Sequence, residues 1–233
     1  MAETVTVQRL SEPLQKVRKK DEKSMKIRIR RILIPILFCL SVACLVEIPM
    51  GHVTLFGEAA VLWDTLFRAI LAVPMLVHFY KEDAVFRGEE NWSFKRAALC
   101  IVTGFFLSLL FRFLTAAMGN MDYGKAEGAL LSGDFLLQSL VLLLASPLLE
   151  ELFFRGILYM RFKELFSPVT ASFLSAAFFG LYHGNVSQGI YGFFMGLILA
   201  YSMEVCRTVK APVLIHGAAN LAALIVVKFA LLS

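Results

Sequence analysis

Ser146-Pro147-Leu148-Leu149-Glu150-Glu151-Leu152-Phe153-Phe154-Arg155-Gly156 puts two adjacent carboxylates and an arginine inside an apolar run long enough to enter a membrane. An ionisable side chain at membrane depth is costly to desolvate, so its presence points to a site or to a paired network. On a helix Glu151 and Arg155 are four apart and share a face, with the acid on the N-terminal side, the better order for pairing. Glu150 is rotated about 100° from that face, which leaves it to look into a cavity. Downstream the chain supplies His183, in Phe179-Gly180-Leu181-Tyr182-His183, and then His216 and Asn220, in His216-Gly217-Ala218-Ala219-Asn220.

Around this stretch the 233 residues are 58% hydrophobic, above the roughly 45–50% of a soluble domain. The excess falls in seven blocks, at about 32–50, 59–80, 97–118, 135–160, 168–188, 189–205 and 211–231. Each is near the ~20 residues needed to cross ~30 Å of hydrocarbon. The expected fold is all-α, a polytopic integral membrane bundle of about seven transmembrane helices. Residues 1–31 read as a flexible basic cytoplasmic arm and 32–233 as one membrane domain. The first apolar run follows a long basic segment and reads as a retained span, with no cleavable signal peptide.

The arm holds Lys16, Arg18, Lys19, Lys20, Lys23, Lys26, Arg28, Arg30 and Arg31. Directly before a span, such a cluster is a topology signal with affinity for anionic lipid, and no nucleic-acid partner is expected. Lys81, Arg87, Lys95, Arg96, Arg161, Lys163, Arg207 and Lys210 fall on the same side of the predicted bundle, against Lys125 on the other. The N-terminus is therefore expected in the cytoplasm and the C-terminus outside. Cys39, Cys44, Cys100 and Cys206 lack metal-ligand spacing and read as small buried hydrophobes. Gly180/Gly184 and Gly192/Gly196 mark close helix packing. Asp64 and Arg68 are expected to pair, with Arg112 joining them or meeting a lipid phosphate, and His52 and His78 sit at span ends.

The polar groups make an inventory for acyl hydrolysis without a covalent nucleophile. Glu150 is placed to take a proton from water, and His183 to help hold or deprotonate it. His216 and Asn220 share a helix face cleared by Gly217, Ala218 and Ala219, and both can donate to one developing oxyanion. Ser146 is the nearest hydroxyl, but no nucleophile elbow surrounds it, and it reads as a partner for backbone freed by Pro147. A transporter is the weaker reading, because inverted repeats are absent.

EExxxR (Glu150, Glu151, Arg155), FxxxH (Phe179, His183) and HxxxN (His216, Asn220), in that order on successive spans, resemble the CPBP or Abi family of CAAX-processing and bacteriocin-processing intramembrane endopeptidases. Phe153-Phe154-Arg155-Gly156 and Phe193-Phe194-Met195-Gly196 also look like that family, and the likeness covers about residues 135–222. The resemblance implies a cavity opening toward the cytoplasmic side and a membrane-anchored peptide or protein substrate. It assigns water activation to Glu150 and His183, oxyanion binding to His216 and Asn220, and support to Glu151 and Arg155. The family has been described both as metalloproteases and as metal-independent glutamate proteases. Glu150, His183 and His216 would be the ligands if zinc is used, although no HExxH is present and the His216/Asn220 pair favours metal-free chemistry. Relatives of this kind also act in bacteriocin immunity or as membrane scaffolds, which is the alternative. The short chain looks like a prokaryotic member in a cell membrane. Helix counting leaves one conflict: His183 falls on the order of 10 Å nearer the outer face than Glu150, with Pro147 a candidate for a broken span.

Overall fold

The computed structural model describes residues 2–52, 54–117, 134–184 and 186–230, with side chains described between Lys23 and Lys228 wherever they are used below. Lys125, Asn185 and the side chains of Lys16, Arg18, Lys19, Lys20 and His52 lie outside the described residues. Among those described, helices account for the fold and no strand occurs. They are α1 (Ala2–His52), α2 (Ala60–Glu82), α3 (Ala84–Arg87), α4 (Phe94–Ala117), α5 (Phe135–Phe162), α6 (Pro168–Tyr182), α7 (Val186–Cys206) and α8 (Lys210–Ala230). The backbone of α1 crosses the 31/32 boundary unbroken, so basic arm and first span form one helix. Lys, Glu, Gln and Arg are good helix formers, and the arm is rich in them.

Six of these helices are long and apolar enough to span a membrane. The expected fifth span, 168–188, is corrected. Its helix, α6, has 15 residues, about 22 Å at 1.5 Å per residue and short of the ~30 Å hydrocarbon core. It ends because Gly184 adopts a φ of 64°, a left-handed stop that turns the chain straight into α7. Gly184 therefore makes the turn, while its expected partner Gly180 does the packing. A Cβ at Gly180 would lie 2.6 Å from the Gly189 carbonyl oxygen, so α6 and α7 meet backbone to backbone.

Leu37, Leu40, Leu45, Ile48, Ile70, Leu99, Phe106 and Phe113 are exposed along α1, α2 and α4. In water such faces would be aggregation patches, whereas lipid is the solvent they match. The molecule is an integral membrane protein. α5 is the central helix and packs against α2, α6, α7 and α8, while α4 lies on α8. That last contact is closest at Gly104, where a Cβ would stand 2.0 Å from the Ile215 carbonyl oxygen.

One end of the bundle is closed by charge. Asp83 is buried between Arg31 and Arg161 and accepts from Arg161 Nε at 2.8 Å, while Arg31 also reaches Glu164 at 2.7 Å. These pairs tie α1, the end of α2 and the end of α5 together. Lys210 pairs with Glu90 at 2.7 Å beside them. Asp64 and Arg68 pair at 2.7 Å, as their spacing predicts.

Candidate active site

α5 departs from α-helical geometry twice, and both departures serve the site. Val141–Ala145 is π-helical: the N–H of Ser146 reaches back five residues to the Val141 carbonyl. Pro147 next door has no N–H to offer. The carbonyls of Leu142 and Leu143 are thereby released. Asn220 of α8 donates its amide Nδ2 to Leu142 O at 2.8 Å, and Gly217 lies so near Leu143 O that a Cβ would come within 2.8 Å. The expected break at Pro147 is thus a bulge inside a continuous helix. Its freed backbone is satisfied by Asn220 and not, as expected from sequence, by Ser146. A second π segment, Leu152–Tyr159, lets the Phe154 carbonyl accept from Ser175 Oγ at 2.8 Å, which sets the register of α6 on α5.

That register answers the depth conflict. From the Ser175–Phe154 contact, Glu150 is four residues along α5 and His183 eight along α6, both in the same direction. The offset is about 6 Å at 1.5 Å per residue, within side-chain reach. Glu150, His183, His216 and Asn220 line one cavity of about 400 Å³, together with Ser146, Arg68, Arg112 and Tyr182. That volume suits a bound ligand. The Phe179 ring lies beside both imidazoles, with centroids 4.8 Å from His183 and 5.8 Å from His216.

Glu151 and Arg155 do not line the cavity. Both are fully buried behind it, with Arg155 Nη1 donating to Glu151 Oε1 at 3.0 Å. The Arg155 guanidinium also stands 4.1 Å over the Phe179 ring, an attraction that helps hold a cation out of water. Glu151 Oε1 accepts from His216 Nδ1 at 2.8 Å, so the other ring nitrogen, Nε2, is turned toward Glu150 Oε2 at 4.0 Å. The hydroxyl of Ser146 donates to Glu150 Oε1. Oε2 of Glu150 is buried and has no hydrogen-bond partner among the described residues. The polar groups therefore form a chain: Arg155, Glu151, His216, Glu150, Ser146. His183 stands apart, its Nδ1 donating to the Phe179 carbonyl at 2.8 Å, which assigns Nε2 as the acceptor nitrogen.

Sequence reading missed two participants. The sequence suggests backbone as the partner of Ser146, although its four-residue spacing to Glu150 on a helix is the signal for the contact found. Tyr182 gave none; it enters because α6 stops beside it, and its ring packs on Phe154 at 5.6 Å. For a metal, no three His, Cys, Asp or Glu side chains among the described residues converge at metal-holding spacing. Glu150, His183 and His216 share a cavity wall, but as placed they do not form a His₂Glu ligand set.

All four cavity-lining candidates fall within residues 132–222, the stretch matched by the family model for type II CAAX prenyl endopeptidase Rce1-like proteins. Over that stretch the chain is similar to the Rce1-like CAAX prenyl endopeptidases. The "Putative membrane peptidase YdiL" of Bacillus subtilis (strain 168) is 23% identical over 163 residues, covering 66% of this chain and 67% of that protein. No solved structure matches the chain significantly. The Rce1-like stretch takes in α5, α6, α7 and most of α8, and the cavity is completed by Val61, Thr65 and Arg68 of α2 and by Ser108, Phe111 and Arg112 of α4.

The lining residues lie at the start of α2 and α7, in the second half of α4 and in the middle of α8. Those of α2, α4 and α7 lie away from Asp83, Arg161 and Lys210, whereas His216 sits within the two turns of α8 that follow Lys210. Arg155, Ile157, Leu158 and Tyr159, all fully buried, fill α5 between the cavity and the charged end.

Proposed function

We propose that this protein is an intramembrane endopeptidase that hydrolyses a peptide bond of a membrane-anchored substrate, of CAAX type or leader type, by direct attack of water. The observation that carries the reading is Glu150: one carboxylate oxygen is held by Ser146 while the other is buried, unpartnered and faces a cavity shared with two histidines. Such an oxygen is placed to act as a general base.

Glu150 Oε2 takes the water proton as the water oxygen attacks the carbonyl carbon. Nε2 of His183, an acceptor, helps orient that water. The tetrahedral oxyanion is met by His216 Nε2 and the Asn220 amide. His216 donates from Nε2 when both ring nitrogens carry protons, with Glu151 at Nδ1 and Glu150 Oε2 4.0 Å from Nε2. Asn220 keeps one N–H on Leu142 O and has a second to offer. The proton held by Glu150 then passes to the leaving amine, which completes the exchange. Glu151 and Arg155 act through His216 by fixing its ring.

The step needs no metal ion. Chelation of the purified protein is expected to leave turnover unchanged, and loss of activity restored by zinc would assign the water to a metal instead. We take the N-terminus as cytoplasmic in a prokaryotic membrane, on the placement of the basic residues. The test of the function is mass spectrometry of membrane peptides from cells with native protein and with Glu150→Gln. New termini confined to the native sample support an endopeptidase. Identical peptide sets from both samples leave an immunity or scaffold role.

A further inference from the structure

A second cavity, of about 370 Å³, opens at the charged end of the bundle, remote from Glu150. Arg87 and Gly88 line it at the end of α3, Lys163 just after α5, and Glu204 and Arg207 at the end of α7. Three cations thus face one carboxylate. That carboxylate is already engaged, because Tyr159 Oη donates to Glu204 at 2.7 Å and Lys163 pairs with it.

The ordinary reason for cations at such a place is the helix end, whose last carbonyls attract positive charge. Arg87 plays that part, donating to the Tyr80 carbonyl near the end of α2 and stacking on its ring, but at the end of α7 the last carbonyls have other partners. The Asn91 N–H donates to Cys206 O at 2.9 Å, its side-chain amide reaches Val205 O at 3.4 Å, and the Arg207 N–H donates to Met203 O at 2.9 Å. Arg207 also has a φ of 54°, the only positive value at a non-glycine residue among those described. Glycine is the usual residue in a left-handed helix stop, because a Cβ is penalised there. Arginine occupies this one despite the penalty, and its guanidinium lies along Gly88, where an added Cβ would sit 3.5 Å from Nη1. The side chain, not the backbone, is what the position retains.

At the rim of the same cavity Val85 is 88% exposed and Phe86 is 55% exposed. They lie between the ends of two spans, α2 and α4, at the boundary of headgroups and acyl chains. A ligand that meets cations in a cleft and apolar side chains at its lip, at that depth, is a phospholipid.

We propose that this cavity binds the phosphate of an anionic phospholipid, with Arg87, Lys163 and Arg207 around the headgroup and Val85 and Phe86 against its acyl chains. The site is separate from the proposed active site and does not depend on it. The test is thermal unfolding of the full protein in nanodiscs of phosphatidylcholine alone and of phosphatidylcholine mixed with phosphatidylglycerol. The native protein is expected to melt higher in the mixed discs. Arg207→Gly and Arg207→Gln are expected to lose that rise. In phosphatidylcholine alone Arg207→Gly melts at or above native, since glycine suits the backbone. A Lys23→Ala/Arg30→Ala variant on α1, which removes equal or greater charge outside the cavity, keeps the rise. Any one of four results overturns the proposal: no rise in native protein, a rise retained in the Arg207 variants, a rise lost equally in the α1 variant, or Arg207→Gly melting below native in phosphatidylcholine. Glycerol 3-phosphate added to phosphatidylcholine discs distinguishes the source of the phosphate. A full rise from it assigns a soluble ester and overturns the lipid, and no effect supports the lipid.

Discussion

Oε1 of Glu151 lies 2.8 Å from Nδ1 of His216, and the same oxygen receives Arg155 Nη1 at 3.0 Å. One fully buried carboxylate oxygen thus holds a guanidinium and a cavity-lining imidazole together. Glu151→Leu leaves Arg155 charged and unpaired in the core. Breaking such a pair costs about 3–5 kcal/mol, so a large fall in Tm is expected. Adding Arg155→Met removes the stranded charge and restores much of the stability. Activity stays lost in the double variant, because the His216 ring is no longer oriented. A double variant that recovers both stability and turnover would show that Glu151 serves only the fold.

Ser146 and Glu150 are separated by one helical turn, and the hydroxyl donates to the carboxylate. Hydrogen bonds to charged groups contribute about 1.5–3 kcal/mol, so Ser146→Ala is expected to lower kcat roughly ten- to hundredfold. KM should hardly move, since the hydroxyl positions the base and does not grip the substrate. Ser146→Thr keeps the donor and is expected to recover part of the rate. Equal rates in the alanine and threonine variants would remove Ser146 from the account.

At Gly104 the α4 backbone rests on the Ile215 carbonyl, next to His216. Gly104→Ala inserts a methyl group where backbone already stands. Overpacking of this kind costs about 1–3 kcal/mol or more, and thermal unfolding in detergent measures it. Because α4 also forms one wall of the cavity, the variant is expected to bind substrate more weakly. An unchanged Tm would mean that α4 and α8 are farther apart than described.

The membrane orientation is open to a direct check. With Cys39, Cys44, Cys100 and Cys206 replaced by serine, single cysteines are introduced at Glu89 and at Val186, both exposed. A membrane-impermeant maleimide is expected to label position 186 on intact cells and position 89 only after permeabilisation. The reverse pattern would turn the bundle over.

The helical bundle was legible because lipid demands long apolar runs, and Glu150, Glu151 and Arg155 stood out against them. Helix periodicity also separated Glu150, in the cavity, from Glu151 and Arg155 behind it. The limits of α6 were not legible. An apolar run through Tyr182 looks continuous with α7, and only the left-handed Gly184 divides them. The π-helical turns of α5 were hidden too, since they arise from tertiary demand: Asn220 and Ser175 take carbonyls that an α-helix would have kept. The same demand moved Asn220 partly onto backbone and left Ser146 free for Glu150, one turn along the helix.

The account rests on Glu150 as the base that activates water, and its most direct test is cleavage by purified protein and by Glu150→Gln in detergent. Native protein is expected to cut a membrane-proximal peptide, and the amide variant to fall by about 10²–10⁴-fold, the range for loss of a general base. Its Tm should stay near native, because glutamine still accepts the Ser146 hydrogen bond. A folded Glu150→Gln protein that cleaves at the native rate would contradict the account.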